Sequence, residues 1–232
     1  MQKLSVIIPV YNEASTIKRV VQKVKSAGPK GVLKEIIIVD DCSQDSTKGI
    51  LKKFNDSSIK IFFHRINMGK GAAIRTGLKH ATGDIILIQD ADLEYSPEEY
   101  PKLLAPIMNN GAKVVYGSRI ESIRDQIDRM YKLHFIGNLF LTYATNLLYG
   151  SRITDMETGY KVFTREVTDG IKLRATRFDF EPEITAKILK KGYTIHEVQI
   201  AFHGRKFAEG KKITWRDGIK ALFYLVKYRF SD

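Results

Sequence analysis

Through residues 4–118 the sequence alternates between two hydrophobic periods. Short runs rich in Ile and Val appear at LSVIIPV (4–10), LKEIIIVD (33–40), IKIFFHR (59–65), DIILIQD (84–90) and AKVVYGS (112–118). Four of these are near-continuously apolar, as strands are when both of their faces are covered. Segments of helical spacing separate them, at 14–26, 45–54, 70–80 and 97–108. A strand–helix alternation of this kind implies βαβ units, and hence an α/β fold with a mostly parallel sheet flanked by helices.

The second half reads differently. Residues 122–149 are long helical material, 155–166 are strand-like with a turn at Gly159, and 194–202 alternate as a strand does. A helix is expected over 180–192, with Pro182 in its first turn and Gly192 at its end. Residues 214–230 form an amphipathic helix. Neither a repeat nor a low-complexity linker interrupts the chain, so residues 1–232 are read as one domain. Its 44% hydrophobic content suffices for a core.

Cys42 stands alone, which excludes an internal disulfide and a Cys-based zinc site, and a reduced, cytoplasmic setting is expected. Residues 1–10 run straight into a strand, so no signal peptide is expected. No window reaches the ~20 apolar residues of a membrane-spanning helix. The net charge of +12 calls for an anionic partner: a nucleotide, a nucleic acid or an anionic lipid surface.

Open parallel sheets bind ligands beyond the carboxyl ends of their strands. Three strands here end in polar chemistry: PVYNE (9–13), VDDCSQD (39–45) and QDADLE (89–94). Asp90 and Asp92 stand two apart, so both can turn to one ligand. Adjacent carboxylates repel, and a hard divalent ion removes the conflict. Mg²⁺ or Mn²⁺ is therefore expected on Asp90 and Asp92, with Glu94 as a third oxygen; the competing reading is a turn with helix-capping acids. Asp40 or Asp41 is expected to accept hydrogen bonds from a nucleobase or ribose, and Asp45 to cap the next helix. Glu13 is either a site residue or an acid beside a helix start. NMGKGAAIRTG (67–77) lacks the spacing of a phosphate-binding P-loop, and no Gly-rich turn follows the first strand. Lys70 still borders a nucleotide on this reading.

LSVIIPVYNEAST, EIIIVDDCSQDST, NMGKGAAIRTGLKHATGDIILIQDADLEYSP, VVYGSR and DMETGYKVF together resemble family 2 glycosyltransferases of the GT-A fold. More closely they resemble the dolichyl- and polyprenyl-phosphate hexose synthases. The resemblance runs from about Leu4 to Phe163, and FEPEITAKI and GRKFAEGKKITWRDGIKAL extend it. It implies a nucleotide pocket of Pro9, Tyr11, Glu13, Asp40 and Asp41, with Lys70 at its border. It also implies that Asp90 and Asp92 hold the metal on the donor's diphosphate. Glu94 occupies a position where some relatives carry Gln. Arg119 and Arg205 would be anion ligands near the donor and acceptor phosphates, and Lys211 and Lys212 would clamp the same charge as the 203–212 loop closes. Asp92, Arg119 and Arg205 are the residues on which catalysis would depend most.

The implied reaction moves mannose or glucose from GDP-mannose or UDP-glucose to a lipid monophosphate. Such an acceptor is largely dianionic at neutral pH. It needs cations rather than a general base, and direct attack inverts the anomeric carbon. A sugar hydroxyl acceptor would need a base instead, for which Asp155 and Glu157 are the candidates. Many relatives continue into C-terminal transmembrane helices that are not found here. An interfacial helix at 122–149, an anionic membrane surface at the cytoplasmic face and a small membrane subunit are the expected routes to the lipid. Two rivals fit less well. Haloacid-dehalogenase-type phosphatases place Asp-x-Asp after the first strand, not the fourth. A nucleic-acid-binding module predicts clustered basic residues with exposed stacking aromatics, so no nucleic-acid partner is expected.

Overall fold

The computed structural model describes residues 2–29, 31–124, 129–177, 179–204 and 215–231. Four βα units come first: β1 (Lys3–Val10), α1 (Ile17–Ser26), β2 (Leu33–Asp40), α2 (Thr47–Leu51), β3 (Ile59–Phe63), α3 (Lys70–His80), β4 (Ile85–Ile88) and α4 (Tyr100–Asn110). A 3₁₀ turn at Pro97–Glu99 leads into α4, and Gly111 ends it at φ 69°, a conformation that suits glycine. β5 (Val114–Ser118), α5 (Ile120–Arg124), α6 (Arg129–Tyr149), β6 (Lys161–Thr164), α7 (Arg165–Asp169), α8 (Phe180–Lys190), β7 (Ile195–Gln199) and α9 (Trp215–Phe230) follow.

The strands form one sheet in the order β3-β2-β1-β4-β6-β5-β7. Only β6 runs against the rest, pairing antiparallel with β4 and β5. The near-continuous apolar strands are explained by what covers them. Leu4, Val6 and Ile8 of β1 pack with Val20, Val24, Leu103 and Leu104 on one face. Ile7 packs with Ala73 of α3 on the other, where a Cβ at Gly77 would collide with Ile7. Burying each such side chain stabilises by ~1.5–3 kcal/mol, so Ile7→Ala cuts into both the transfer and the packing terms. At the sheet's edge β3 is only half-buried, as its weaker apolar run suggests.

Several expectations shift. The strand at 59–65 ends at Phe63, and the one at 194–202 ends at Gln199, with Phe202 returning to bridge Tyr95. Residues 165–166 begin α7 rather than extending β6. The long helical stretch divides into α5 and α6, whose ends flank residues outside the described set. α2 begins at Thr47, two residues past Asp45. Asp45 still acts as a cap, accepting the Thr47 and Ala14 N–H groups and tying two rim loops together.

Candidate active site

β1, β2, β4 and β5 all end on one rim, and antiparallel β6 starts there. That rim frames a cleft of about 410 Å³. Pro9, Tyr11, Glu13, Asp41, Lys70, Asp90, Asp92, Glu94, Arg119 and Glu157 all line it, so most of the expected site residues converge. Three non-glycine residues have positive φ among the described residues: Asn12 (56°), Cys42 (62°) and Leu93 (65°). Asn12 follows β1, Cys42 follows β2 and Leu93 lies in the turn after β4. Left-handed backbone costs a non-glycine residue ~1–2 kcal/mol, and such strain concentrates where a chain is bent to present ligand-binding groups.

The two aspartates at the β2 end divide their work, because successive strand residues face opposite ways. Asp41 reaches the cleft, but its carboxylate is already occupied. It accepts the N–H groups of Met68 and Gly69 at 2.9 and 2.6 Å, and bonds His64 Nδ1 at 2.7 Å. His64 Nε2 in turn meets Thr76 on α3. Asp41 thus shapes the 64–69 loop that bounds the cleft. Asp40 is buried behind the rim instead of on the cleft wall. Its Oδ2 accepts the Ser43 N–H, while Oδ1 has no partner. Glu13 Oε2 accepts the Thr16 hydroxyl, and its backbone N–H is held by Thr47.

At the β4 end, Lys70 opens α3 and places its ammonium 2.9 Å from Asp90 Oδ1 and 3.1 Å from Glu181 Oε1. Burial opposes that charge, but Asp90 and Glu181 hold the Lys70 pKa well above its ordinary value. Asp92 Oδ1 accepts the Glu94 N–H, which tightens the turn after β4. Gly159 makes room for the Asp90 carboxylate; a Cβ there would overlap Oδ2. Among the described residues no three His, Cys, Asp or Glu side chains converge on a common metal position. Glu94 therefore does not complete a three-carboxylate cage with Asp90 and Asp92. The two aspartates nevertheless offer hard oxygen donors, and Asp90 already attracts a cation. Both properties fit Mg²⁺ or Mn²⁺.

Besides Asp155, the 155–161 segment brings in Glu157 and Lys161. Glu157 Oε1 and Glu181 Oε2 are both sequestered from solvent without a hydrogen-bond partner. Burial and the neighbouring Glu181 push Glu157 up to about 7, against the pull of Lys161 and Arg119. Lys161, wholly buried in β6, caps the Met156 and Thr158 carbonyls and lies 4.5 Å from the Tyr116 ring centroid. Burial lowers its pKa.

Arg119, just past β5, forks onto Asp155: Nε to Oδ2 at 2.7 Å and Nη2 to Oδ1 at 2.7 Å. Its backbone N–H and Asn138 also donate to the same carboxylate. Asp155 is fully buried, and although burial pushes its carboxyl up, Arg119 brings it below the usual range. It is unsuited to act as a base. Arg119 lines the cleft with the Tyr95 and Phe202 rings alongside. Arg205, Lys211 and Lys212 lie outside the described residues.

Sequence reasoning missed Glu181, Arg177, Asn67 and Tyr95 on the cleft wall. FEPE, an acidic pair around a proline at a helix start, was the one available signal for Glu181. Arg177 stands over the cleft because the 174–177 loop packs on the start of α3, where Thr176 accepts the Ala72 N–H.

Away from the cleft, α6 and α9 lie side by side and present two apolar stripes to solvent. Ile136, Phe140, Tyr143 and Leu147 form one; Ile219, Phe223, Val226 and Phe230 form the other. Tyr143 is 67% exposed and Phe230 82%. Residues 135–149 carry no charged side chain. Among the described residues no helix is long and apolar enough to cross a membrane.

The sequence matches the Glycosyl transferase family 2 profile over residues 5–171. It is 30% identical to the UDP-N-acetylglucosamine–dolichyl-phosphate N-acetylglucosaminyltransferase of Methanococcus voltae, over 97% of this chain and 95% of that protein. It is 28% identical to the dolichol-phosphate mannosyltransferase of Pyrococcus furiosus, over 97% of this chain and 64% of that one. The fold matches glucosyl-3-phosphoglycerate synthase of Mycobacterium tuberculosis bound to UDP, with a TM-score of 0.77, 18% identity and coverage of 100% and 81%. The same enzyme with Mn²⁺, UDP and phosphoglyceric acid gives a TM-score of 0.73 at 19% identity, covering 100% and 80%. The expected GT-A architecture is thereby found.

Proposed function

The chain is a member of glycosyl transferase family 2, and from that membership we propose that it transfers a hexose from a nucleotide sugar to a dolichyl or polyprenyl phosphate, with inversion. The observation that carries this reading is the mixed charge of one cleft: Asp90 and Asp92 stand beyond the β4 end and Arg119 at the β5 end, with β6 between them and Lys70 reaching in from the start of α3. A nucleoside diphosphate and an acceptor phosphate are both anions, and each needs countercharge to approach the other. No Ser, His or Cys lines the cleft among the described residues, which suits an acceptor that arrives deprotonated.

On this reading Asp41 fixes the loop against which the nucleoside rests, with Pro9, Tyr11 and Glu13 opposite. Asp90 and Asp92, with Glu94 beside them, would hold Mg²⁺ or Mn²⁺, which would supply positive charge at the leaving diphosphate. Lys70 exchanges its contact with Asp90 for the donor's phosphates. Arg119, with Arg205, Lys211 and Lys212 from the 203–212 segment, holds the acceptor phosphate. One acceptor oxygen bonds to the anomeric carbon as the bond to the diphosphate breaks, and the nucleoside diphosphate leaves with the electron pair. No proton changes hands.

The acceptor's lipid tail requires a membrane surface. The uncharged face of α6, the stripe on α9 and the basic net charge support peripheral binding to anionic lipid at the cytoplasmic face, directly or through a small membrane subunit.

One observation favours a second reading. Glu157, with a pKa of about 7 in the cleft wall, has the properties of a general base for a sugar hydroxyl. Turnover assays with UDP-glucose, UDP-N-acetylglucosamine and GDP-mannose, each with Mn²⁺, separate the two. A short polyprenyl phosphate should accept sugar from one of these donors where a free disaccharide does not. The reverse pattern establishes the hydroxyl reading.

A further inference from the structure

The order of strands lays out the cleft wall as a sequence of chemical tasks. From β2 through β1, β4 and β6 to β5 it presents Asp41 and Tyr11, then Asp90 and Asp92, then Glu157 and Gly159, and finally Arg119. The donor reading above places the diphosphate at the β4 end and the acceptor phosphate at the β5 end. Whatever is transferred must lie between them, at the start of β6. That stretch of wall holds no cation directed at a phosphate. It holds Glu157 Oε1 and, from the first turn of α8, Glu181 Oε2, the two cleft-wall side-chain atoms that are sequestered without a hydrogen-bond partner.

A buried carboxylate oxygen without a donor is costly, and folded proteins keep few of them. Two on one wall call for a ligand rich in O–H donors. Lys70 cannot serve both, because it already bonds Asp90 and the other oxygen of Glu181. Lys161 spends its ammonium on the Met156 and Thr158 carbonyls. We propose that Glu157 and Glu181 form the hexose subsite of the donor, their unpaired oxygens accepting hydrogen bonds from sugar hydroxyls. These two residues then select among sugars, whereas Asp41 and the β1–β2 loops serve the nucleoside. A subsite that hydrogen-bonds hydroxyls discriminates strongly against analogues lacking them, since its own polar groups are then left unpaired.

The inference rests on the donor reading, and binding measurements separate the failure of one from that of the other. Calorimetry with Mn²⁺ compares UDP with UDP-glucose and GDP with GDP-mannose on the parent protein. The favoured nucleotide sugar should bind more tightly than its diphosphate. In Glu157→Gln that preference should fall about tenfold, the size of one charged hydrogen bond, while affinity for the bare diphosphate stays unchanged. Glu181→Gln should lower the same ratio. Deoxy-sugar analogues supply a check that needs no variant. The parent should bind them about tenfold more weakly, and Glu157→Gln should not distinguish one of them from the complete sugar. If the parent prefers the nucleotide sugar and both variants keep that preference, the subsite is refuted and the donor reading stands. If Glu157→Gln keeps the preference but loses transfer to a hydroxyl acceptor, Glu157 is a base and the subsite is refuted. If no nucleotide sugar binds the parent, both readings fall together.

Discussion

Replacing Arg119 by Ala leaves the Asp155 carboxylate buried with no cation beside it. Stranding one member of a buried pair costs about 3–5 kcal/mol, and Arg119→Lys recovers only part of this because an ammonium cannot reproduce the fork. The pH dependence should change sign. In the parent Asp155 titrates below its usual range, so its contribution is present above pH ~4 and is lost as pH falls through the depressed value. Without Arg119 the carboxyl titrates high, and stability is lost as pH rises. Urea unfolding at pH 5 and 7.5 should therefore show a smaller deficit for Arg119→Ala at pH 5. Glu157 behaves as the unpaired case already: with its pKa raised to about 7, it weakens the fold as pH climbs from its ordinary carboxylate range to about 7. Glu157→Gln should gain on the parent between pH 5 and 8, and equal pH profiles would count against the assigned burial. Asp92→Ala should abolish turnover with little change in unfolding, since Asp92 is only half-buried and lies in the turn after β4 rather than in the core.

Among the elements, α6 and α9 carry the most accessible test. Phe140→Ser, Tyr143→Ser and Phe223→Ser remove apolar area that faces solvent, so each should alter unfolding by no more than about 0.5 kcal/mol. Together they should cut binding to anionic vesicles severely; unchanged co-sedimentation would remove these stripes from the membrane reading. Elements also show what the sequence could and could not convey. The helix Lys70–His80 was legible to the residue, because Gly69 and Ala81 bound a clean period. β6 was legible as a strand, but its direction was not: pairing depends on neighbours far along the chain, such as Ile86 opposite Phe163. The acidic rim was readable from carboxylates at strand ends. Glu181 was not, because an acid in a helix's first turn is ordinary and only packing against Lys70 turns it into part of the site. The fork between Arg119 and Asp155 joins residues 36 apart and was equally hidden.

For the whole molecule, the net charge of +12 and the apolar stripes act on the same surface question with different salt dependence. Raising ionic strength should weaken vesicle binding by removing ~1 kcal/mol per juxtaposed basic residue, leaving a remainder that depends on α6 and α9. Loss of all binding in high salt would assign the interaction to charge alone. Ligand linkage offers a second global measurement. A nucleoside diphosphate with Mn²⁺ at 100 times its Kd should stabilise by about 2.7 kcal/mol, and either component alone by much less, because the acidic and phosphate groups need each other's countercharge.

The reversed direction of β6 also bears on the order in which a ribosome releases this chain. β1, β2 and β3 pair in chain order, β4 returns to the free edge of β1, and the β4 edge then waits for a strand more than 70 residues downstream. Until residues 155–181 leave the exit tunnel, Asp90 has Lys70 but Lys70 lacks Glu181, and Arg119 lacks Asp155. A nascent chain stalled after α4 should accordingly hold a protease-resistant parallel half with an open edge at β4, a surface on which chaperones would be expected to dwell.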